Sequence, residues 1–324
     1  MGIAVAALAG RDRPVAVSPT DPGGSGPASG PASAPATTKP SDAVRGYLEA
    51  LAGNDADRAL SYLEDQPADR TFLTRAMLEA SSKQAAISGI DVPEVTDKYT
   101  YRVPARYTIG DQAVTEDYSV SEAGGTYKLS RAVTEFDLGY QRDETLPMLI
   151  NGVPVRTDKV SLFPGTYAFT TDSKWVTYGD KAKITLTGPS DYDSPRLTPT
   201  LNSAGKAAFV QATKAALDTC LQQRKLAPAG CPNKIALRTG QKVTQSTIRW
   251  SLTNDPFKNA RVTLDSTDPT VAEATFYPKY RFRATGSTNG RSGRFDGEPI
   301  GLYLFRSAGD LSGDTVKVKL VTRG

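Results

Sequence analysis

Across residues 42–52 the apolar positions Val44, Tyr47, Leu48 and Leu51 recur at i, i+3, i+4 and i+7, the spacing of one helix face. Ser41 and Asp42 stand in front of them as N-cap types, so the pattern predicts an amphipathic helix over 42–52 that Gly53 ends. A second helix, capped by Asn54 or Asp55 and broken by Pro67, buries Ala56, Ala59, Leu60 and Leu63. A third, opened by Thr71, buries Phe72, Ala76, Met77 and Ala80. After Pro93 the period becomes 2. In residues 98–109 (KYTYRVPARYTI), Tyr99, Tyr101, Val103, Ala105, Tyr107 and Ile109 alternate with polar positions, which predicts a half-buried strand with an edge or bulge at Pro104. Gly110-Asp111 and Gly124-Gly125 turn the chain into further strands over 114–120 and 127–136. The change of parity between Leu129 and Phe136 predicts a bulge near Ala132. Helices followed by an antiparallel meander make this region α+β.

The middle of the chain reads as short strands. Asn151-Gly152 is a strong two-residue hairpin signal, Pro164-Gly165 predicts a turn between apolar runs, and residues 175–186 give two strands around Gly179-Asp180. Trp175 and Tyr178 are expected to pack in the core, with sugar stacking as the alternative. Further on, Ser203 is expected to cap a helix that carries Phe209, Val210, Ala216, Leu217, Cys220 and Leu221 to about Gln223. Alternation then returns at Ile248, Trp250 and Leu252, at Val262 and Leu264, at Tyr280 and Phe282, and at Val316, Val318 and Leu320.

Residues 43–63 (AVRGYLEALAGNDADRALSYL), with the long antiparallel sheet behind them, resemble the nuclear-transport-factor-two-like or SnoaL-like cone, in the version found in extracytoplasmic proteins of actinobacteria. That fold serves enzymes, ligand carriers and scaffolds, so the resemblance implies a cone and no reaction. NGVPV and LFPGTYAF resemble PEGA-type surface modules, which implies a small β-sandwich with Tyr167 and Phe169 in its core. The last segment is expected to be a second helix-on-antiparallel-sheet domain, either a degenerate cone or a cystatin-like fold. The expected organisation is therefore α+β and multidomain, over residues 1–40, 41–144, 145–196 and 197–324.

The first forty residues bear on location. Residues 3–10 (IAVAALAG) are too few to cross a bilayer, which needs about 20. They read as the tail of a longer hydrophobic anchor or signal segment, against the alternative of a mobile cytosolic N-terminus. In residues 17–40 all but Val17, Asp21 and Lys39 are Ser, Pro, Gly, Ala or Thr, the composition of a linker. The two cysteines, Cys220 and Cys231, flank the loop CLQQRKLAPAGC. They form either a disulfide of an oxidising compartment or two inert buried thiols; the upstream tail and spacer favour the disulfide. The Leu226-to-Pro232 loop, following a helix that ends in ALDTC, also resembles multidomain envelope proteins of actinobacteria, which implies the same pairing.

Composition narrows the chemistry. The chain has no histidine, the commonest general base and metal ligand, and no metal or cofactor is expected. Lys and Arg exceed Asp and Glu by 39 − 35 = 4, too little for a nucleic-acid signature. Ser203-Ala204-Gly205-Lys206 matches the S-x-x-K of penicillin-recognising enzymes, and Arg238-Thr239-Gly240 and Ser287-Thr288-Asn289 echo its companion motifs, but in reversed order. Gly205-Lys206 lacks the upstream glycine of a phosphate loop, Thr200 standing in its place. Asp117, Glu135 and Asp137 are expected on solvated strand faces, and no catalytic residue is assigned. Lys279, Arg281 and Arg283 alternate with Tyr280 and Phe282, with Arg291 and Arg294 in the Gly-rich loop expected after them. This positive stripe suits teichoic or another acidic envelope glycan, or lipid headgroups; the alternative is charge protecting an edge strand. The expected function is thus a non-enzymatic extracytoplasmic envelope protein, membrane-anchored through its N-terminus or secreted, that acts as a scaffold or as a binding module for an envelope polymer or envelope proteins. The competing expectation is a small-ligand carrier or enzyme using the cone pocket, which Tyr99, Tyr101, Tyr107 and Tyr127 would instead plug in a scaffold.

Overall fold

A computed structural model describes residues 37–97, 99–179, 181–191, 195–299 and 304–322. The apolar run 3–10 and most of the spacer 17–40 lie outside the described residues. Where description begins, the chain is already docked: Tyr127 N–H donates to the Thr37 carbonyl at 3.0 Å, and the Thr37 hydroxyl donates to the Tyr127 carbonyl at 2.6 Å. The spacer therefore gives way to the folded body before residue 40.

Helix α1 (Pro40–Ala52) starts with Pro at its first position, where the missing N–H costs nothing. Ser41 and Asp42 are thus inside the first turn and do not cap it; the buried Ser41 hydroxyl instead accepts the Val95 N–H at 3.2 Å. Helix α2 (Ala56–Ser61) is capped by Asp55. Helix α3 (Arg75–Gln84) is capped by Thr74 and not by Thr71, so Phe72 is buried ahead of the helix rather than on it. Strands β1 (Ile87–Asp91), β2 (Arg102–Ile109), β3 (Gln112–Ala123) and β4 (Thr126–Leu129) form an antiparallel sheet in that order. The expected strand over 98–109 begins only at Arg102; ahead of it the Thr100 N–H donates to the Asp97 carbonyl at 3.1 Å. Tyr99 and Tyr101 are in consequence 68% and 71% exposed. The strand expected over 127–136 is two strands: β5 (Thr134–Asp137) leaves the sheet, and the parity change marks the break.

In the middle segment β6 (Met148–Ile150) and β7 (Val153–Pro154) form the hairpin expected at Asn151-Gly152, both of which adopt positive φ (46° and 83°). Strand β8 (Lys159–Leu162) pairs with β5, whereas β9 (Gly165–Thr171) lies between β6 and β11 (Lys183–Leu186). The turn at Pro164-Gly165 is therefore a corner that carries the chain from one sheet to another. Strand β10 (Val176–Thr177) pairs with β12 (Thr200–Leu201). Trp175 and Tyr178 are buried, and the Trp175 indole N–H donates to the Gly313 carbonyl at 2.7 Å, so both are packing residues.

The last segment opens with α4 (Ser203–Gln222), whose cap is Asn202, accepting the Gly205 N–H at 2.7 Å; Ser203 is the first helical residue. Two antiparallel sheets follow. In one, β13 (Gln241–Val243) and β14 (Arg249–Leu252) lie end to end along one side of β17 (Tyr280–Thr288), and β18 (Arg291–Gly297) lies along its other side. In the other, β15 (Thr263–Leu264), β16 (Val271–Phe276), β19 (Phe305–Asp310) and β20 (Lys317–Thr322) are neighbours in that order. Helix α4 packs on β14 and β20. Phe209, Leu217, Trp250, Phe276, Phe282 and Phe305 join Ile150, Tyr167, Phe169 and Trp175 in one continuous apolar core. The helices over β1–β4 have a second core of their own, which Phe163 from the middle segment completes. The architecture is α+β throughout.

Cys220, in the last turn of α4, is disulfide-bonded to Cys231 with the Cα atoms 5.5 Å apart. The double variant Cys220→Ser with Cys231→Ser is expected to unfold with about 3 kcal/mol less stability, the loop-closure entropy of so short a loop. Thermal unfolding with and without reductant checks this, and an unchanged midpoint would mean that the bridge constrains nothing. A second expectation concerns Gly309, where a Cβ would sit 2.6 Å from the Phe209 ring. Gly309→Ala should cost roughly 1–3 kcal/mol by overpacking the helix against the sheet, measurable in denaturant titration.

Candidate anion-binding face

Strand β17 has one dry side and one wet side. Tyr280, Phe282 and Ala284 are buried, and Trp250 packs edge-on against Phe282 and Tyr280 with ring centroids 5.0 and 6.1 Å apart. The alternate residues Arg281, Arg283 and Thr285 face out. Because directly paired residues in an antiparallel sheet share a face, the register places Ser251 beside Arg281, Arg249 and Asp296 on either side of Arg283, Arg294 beside Thr285, and both Lys242 and Ser292 beside Ser287. Lys279, exposed and of the same parity, stands just ahead of the strand.

This arrangement revises the stripe in four ways. Strand β17 is flanked on both sides, so its charges do not protect an edge. The stretch expected to be loop is a hairpin turned by Asn289 and Gly290, with φ of 49° and 82°. Arg291 pairs with Thr288 and falls on the opposite face, whereas Arg294 joins the stripe. Finally, the register adds Arg249 and Lys242, which sequence reading missed. Arg249 alternates with Ile248 and Trp250 and carried the signal; Lys242 is brought in only by pairing.

Asp296 partly balances the charge. It accepts from Arg281 Nε at 2.7 Å and Nη2 at 3.1 Å, and from Arg283 Nε at 3.2 Å. Those hydrogen bonds, Arg281's first, hold its carboxyl below the ordinary value. Arg249 donates to the Ser246 and Ile248 carbonyls at 2.9 and 2.8 Å, which orient it without neutralising it. Among the described residues neither Lys242 nor Arg294 meets a carboxylate. Beside them lies a shallow depression of about 410 Å³ lined by Lys242, Thr244, Thr285, Ser287 and Ser292. Gly286 allows β13 to approach this closely, since a Cβ there would lie 2.7 Å from the Val243 Cα. No aromatic ring stands on the outward positions just named.

The interior of the first segment is filled. Tyr47, Tyr107, Tyr118 and Phe163 are buried between the helices and the sheet. The Tyr118 and Tyr107 hydroxyls are 2.9 Å apart, Tyr107 donates to the Thr187 carbonyl, and Tyr47 donates to the Ala132 carbonyl. Burial raises all three phenols above their ordinary range, so they remain neutral donors. Of the four tyrosines expected as a plug, Tyr107 and Tyr127 are buried; Tyr99 and Tyr101 are outside. Asp117, Glu135 and Asp137 are exposed.

The penicillin-enzyme echoes do not converge. Ser203 and Lys206 are exposed at the start of α4, where Lys206 lines a cleft with Tyr140 and Asp265. The other two motifs meet at the β17–β18 tip, where Asn289 N–H donates to the Gly240 carbonyl at 2.9 Å. Comparison with family models, characterised proteins and solved structures finds no match to this chain.

Proposed function

We propose that this chain is a non-enzymatic, extracytoplasmic binding module that holds an anionic envelope polymer on the outer face of the β17 sheet. The observation that carries the reading is that each successive outward position from Lys279 to Ser287 is a cation or has one beside it; among the described residues Asp296 is the carboxylate hydrogen-bonded to them, and Glu298 also acts on Arg281. Like charges on neighbouring strands destabilise a sheet, and Arg249 directly opposite Arg283 is such a pair; an anionic ligand relieves that repulsion. The Cys220–Cys231 disulfide supports an oxidising compartment. Among the described residues no helix is long and apolar enough to cross a membrane, so anchoring rests on the reading of residues 3–10. The helices over β1–β4 support a cone of the nuclear-transport-factor-two-like kind, and the NGVPV hairpin supports a PEGA-like module. The filled interior of that cone favours a scaffold over a small-ligand carrier or enzyme.

Long-chain polyphosphate serves as the probe. Calorimetry at low ionic strength should show binding whose affinity falls linearly on a log–log plot against salt, by about 0.7–0.9 per neutralised phosphate. The triple variant Arg249→Gln, Arg281→Gln, Arg283→Gln should lose binding while its melting temperature barely moves, since exposed ion pairs contribute little to stability. Retained binding in the triple variant, or none in the parent, would overturn the proposal. Asp296→Asn should tighten binding by roughly threefold by releasing its two arginines.

The pH profile is a separate check. With no histidine in the chain and the Asp296 carboxyl held below its ordinary value of 3.8, Asp296 keeps its charge and its hold on the two arginines as pH falls from neutrality to about 5. Affinity should be flat across that window and rise only in stronger acid, as Asp296 protonates and frees Arg281 and Arg283. A titration centred near neutrality would contradict this assignment of groups.

A further inference from the structure

We infer that the polymer is a polyol phosphodiester, lying extended along β17 with one phosphate for each two-residue step of the strand. The inference rests on the polyanion reading above and names its ligand class. Its basis is spacing. Lys279, Arg281, Arg283 with Arg249, Arg294 beside Thr285, and Lys242 beside Ser287 occupy five consecutive outward rows. Neighbouring rows are two residues apart, or about 6.7 Å along the strand. Two residues of extended peptide contain six backbone bonds. A phosphodiester chain bridged by a three-carbon polyol also has six bonds from one phosphorus to the next: P–O, O–C, C–C, C–C, C–O and O–P. Since six such bonds in an extended chain span roughly 7 Å, each phosphate can meet its own row without the polymer coiling or the sheet bending.

The rows also carry the partners that a polyol needs. Ser251 flanks Arg281, Thr285 adjoins Arg294, and Ser287 and Ser292 share the row of Lys242, so a hydroxyl lies next to a cation in three of the five rows. Thr285, Ser287, Ser292 and Lys242 converge on the shallow depression described above. There a phosphate finds Lys242, with Arg294 on the neighbouring row, neither of them paired with a carboxylate among the described residues, and its polyol link finds three hydroxyls. None of the side chains in these five rows is aromatic, so the rows offer no platform of the kind on which single-stranded nucleic acids stack their bases, although those strands also carry regularly spaced phosphates.

Glycerol phosphate oligomers of two and five repeats test this against oligoglutamate and oligothymidylate matched in charge to the longer one, all by fluorescence anisotropy at one low salt concentration. The five-repeat oligomer should bind at least about tenfold more tightly than the two-repeat oligomer and than either matched polyanion, a difference of about 1.4 kcal/mol. The double variant Lys242→Gln, Arg294→Gln, both exposed positions, should keep the parent's melting temperature and lose most of the gain between two and five repeats. Equal affinity for all three charge-matched polymers would overturn the phosphodiester assignment while leaving a general polyanion face. An unchanged length dependence in the double variant would overturn the row-by-row placement. Failure of the parent to bind any of the polymers would instead overturn the polyanion reading itself.

Discussion

Burial of Tyr280, Phe282 and Ala284 fixes how β17 sits, and the rest of the candidate site depends on it. A strand's side chains alternate, so with one side committed to Trp250 and the core the other side must present Arg281, Arg283 and Thr285. A slip of one residue would drive two guanidinium groups into an apolar core and expose three core positions, a cost far beyond the stability of any domain this size. The hydrophobic side therefore determines the charged side. It also determines which residues of β13, β14 and β18 join it, because pairing carries face identity from strand to strand.

Helix α4 packs on β14 of that sheet and on β20 of the other. On the other sheet the Thr213 and Ser307 hydroxyls are 2.9 Å apart between the helix and β19, and Thr213 also donates to the Phe209 carbonyl. Two fully buried polar groups thus satisfy each other and leave one favoured seating of helix on sheet. The apolar core continues from there into the middle segment through Trp175, whose carbonyl approaches the backbone of Gly205 where no side chain intervenes.

Much of the fold was legible wherever one period ran unopposed. Val44, Tyr47, Leu48 and Leu51 announced α1, Asn151-Gly152 its hairpin, and the alternation around Phe282 its strand. Boundaries failed where a side chain could do two jobs. Ser41, Thr71 and Ser203 are all cap types, but Pro40, Thr74 and Asn202 set the actual starts. The Leu129-to-Phe136 parity change was read as a bulge because sequence does not say which sheet a strand will join. At the site, the stripe of β17 was visible as local alternation. Lys242 and Asp296 were not, since one enters through a pairing with the distant Ser287 and the other through the register of the β17–β18 hairpin, and no local period records those.

The contact at Thr37 has a mechanical consequence. If residues before it tether the protein, tension on the tether arrives first at the two hydrogen bonds between Thr37 and Tyr127 and at the start of α1. Helix α1 and β4 belong to the first core, whereas β17 belongs to the other. A pull strong enough to peel the entry segment would therefore be absorbed by elements that do not build the charged sheet, so the charged face can outlast strain at the attachment point.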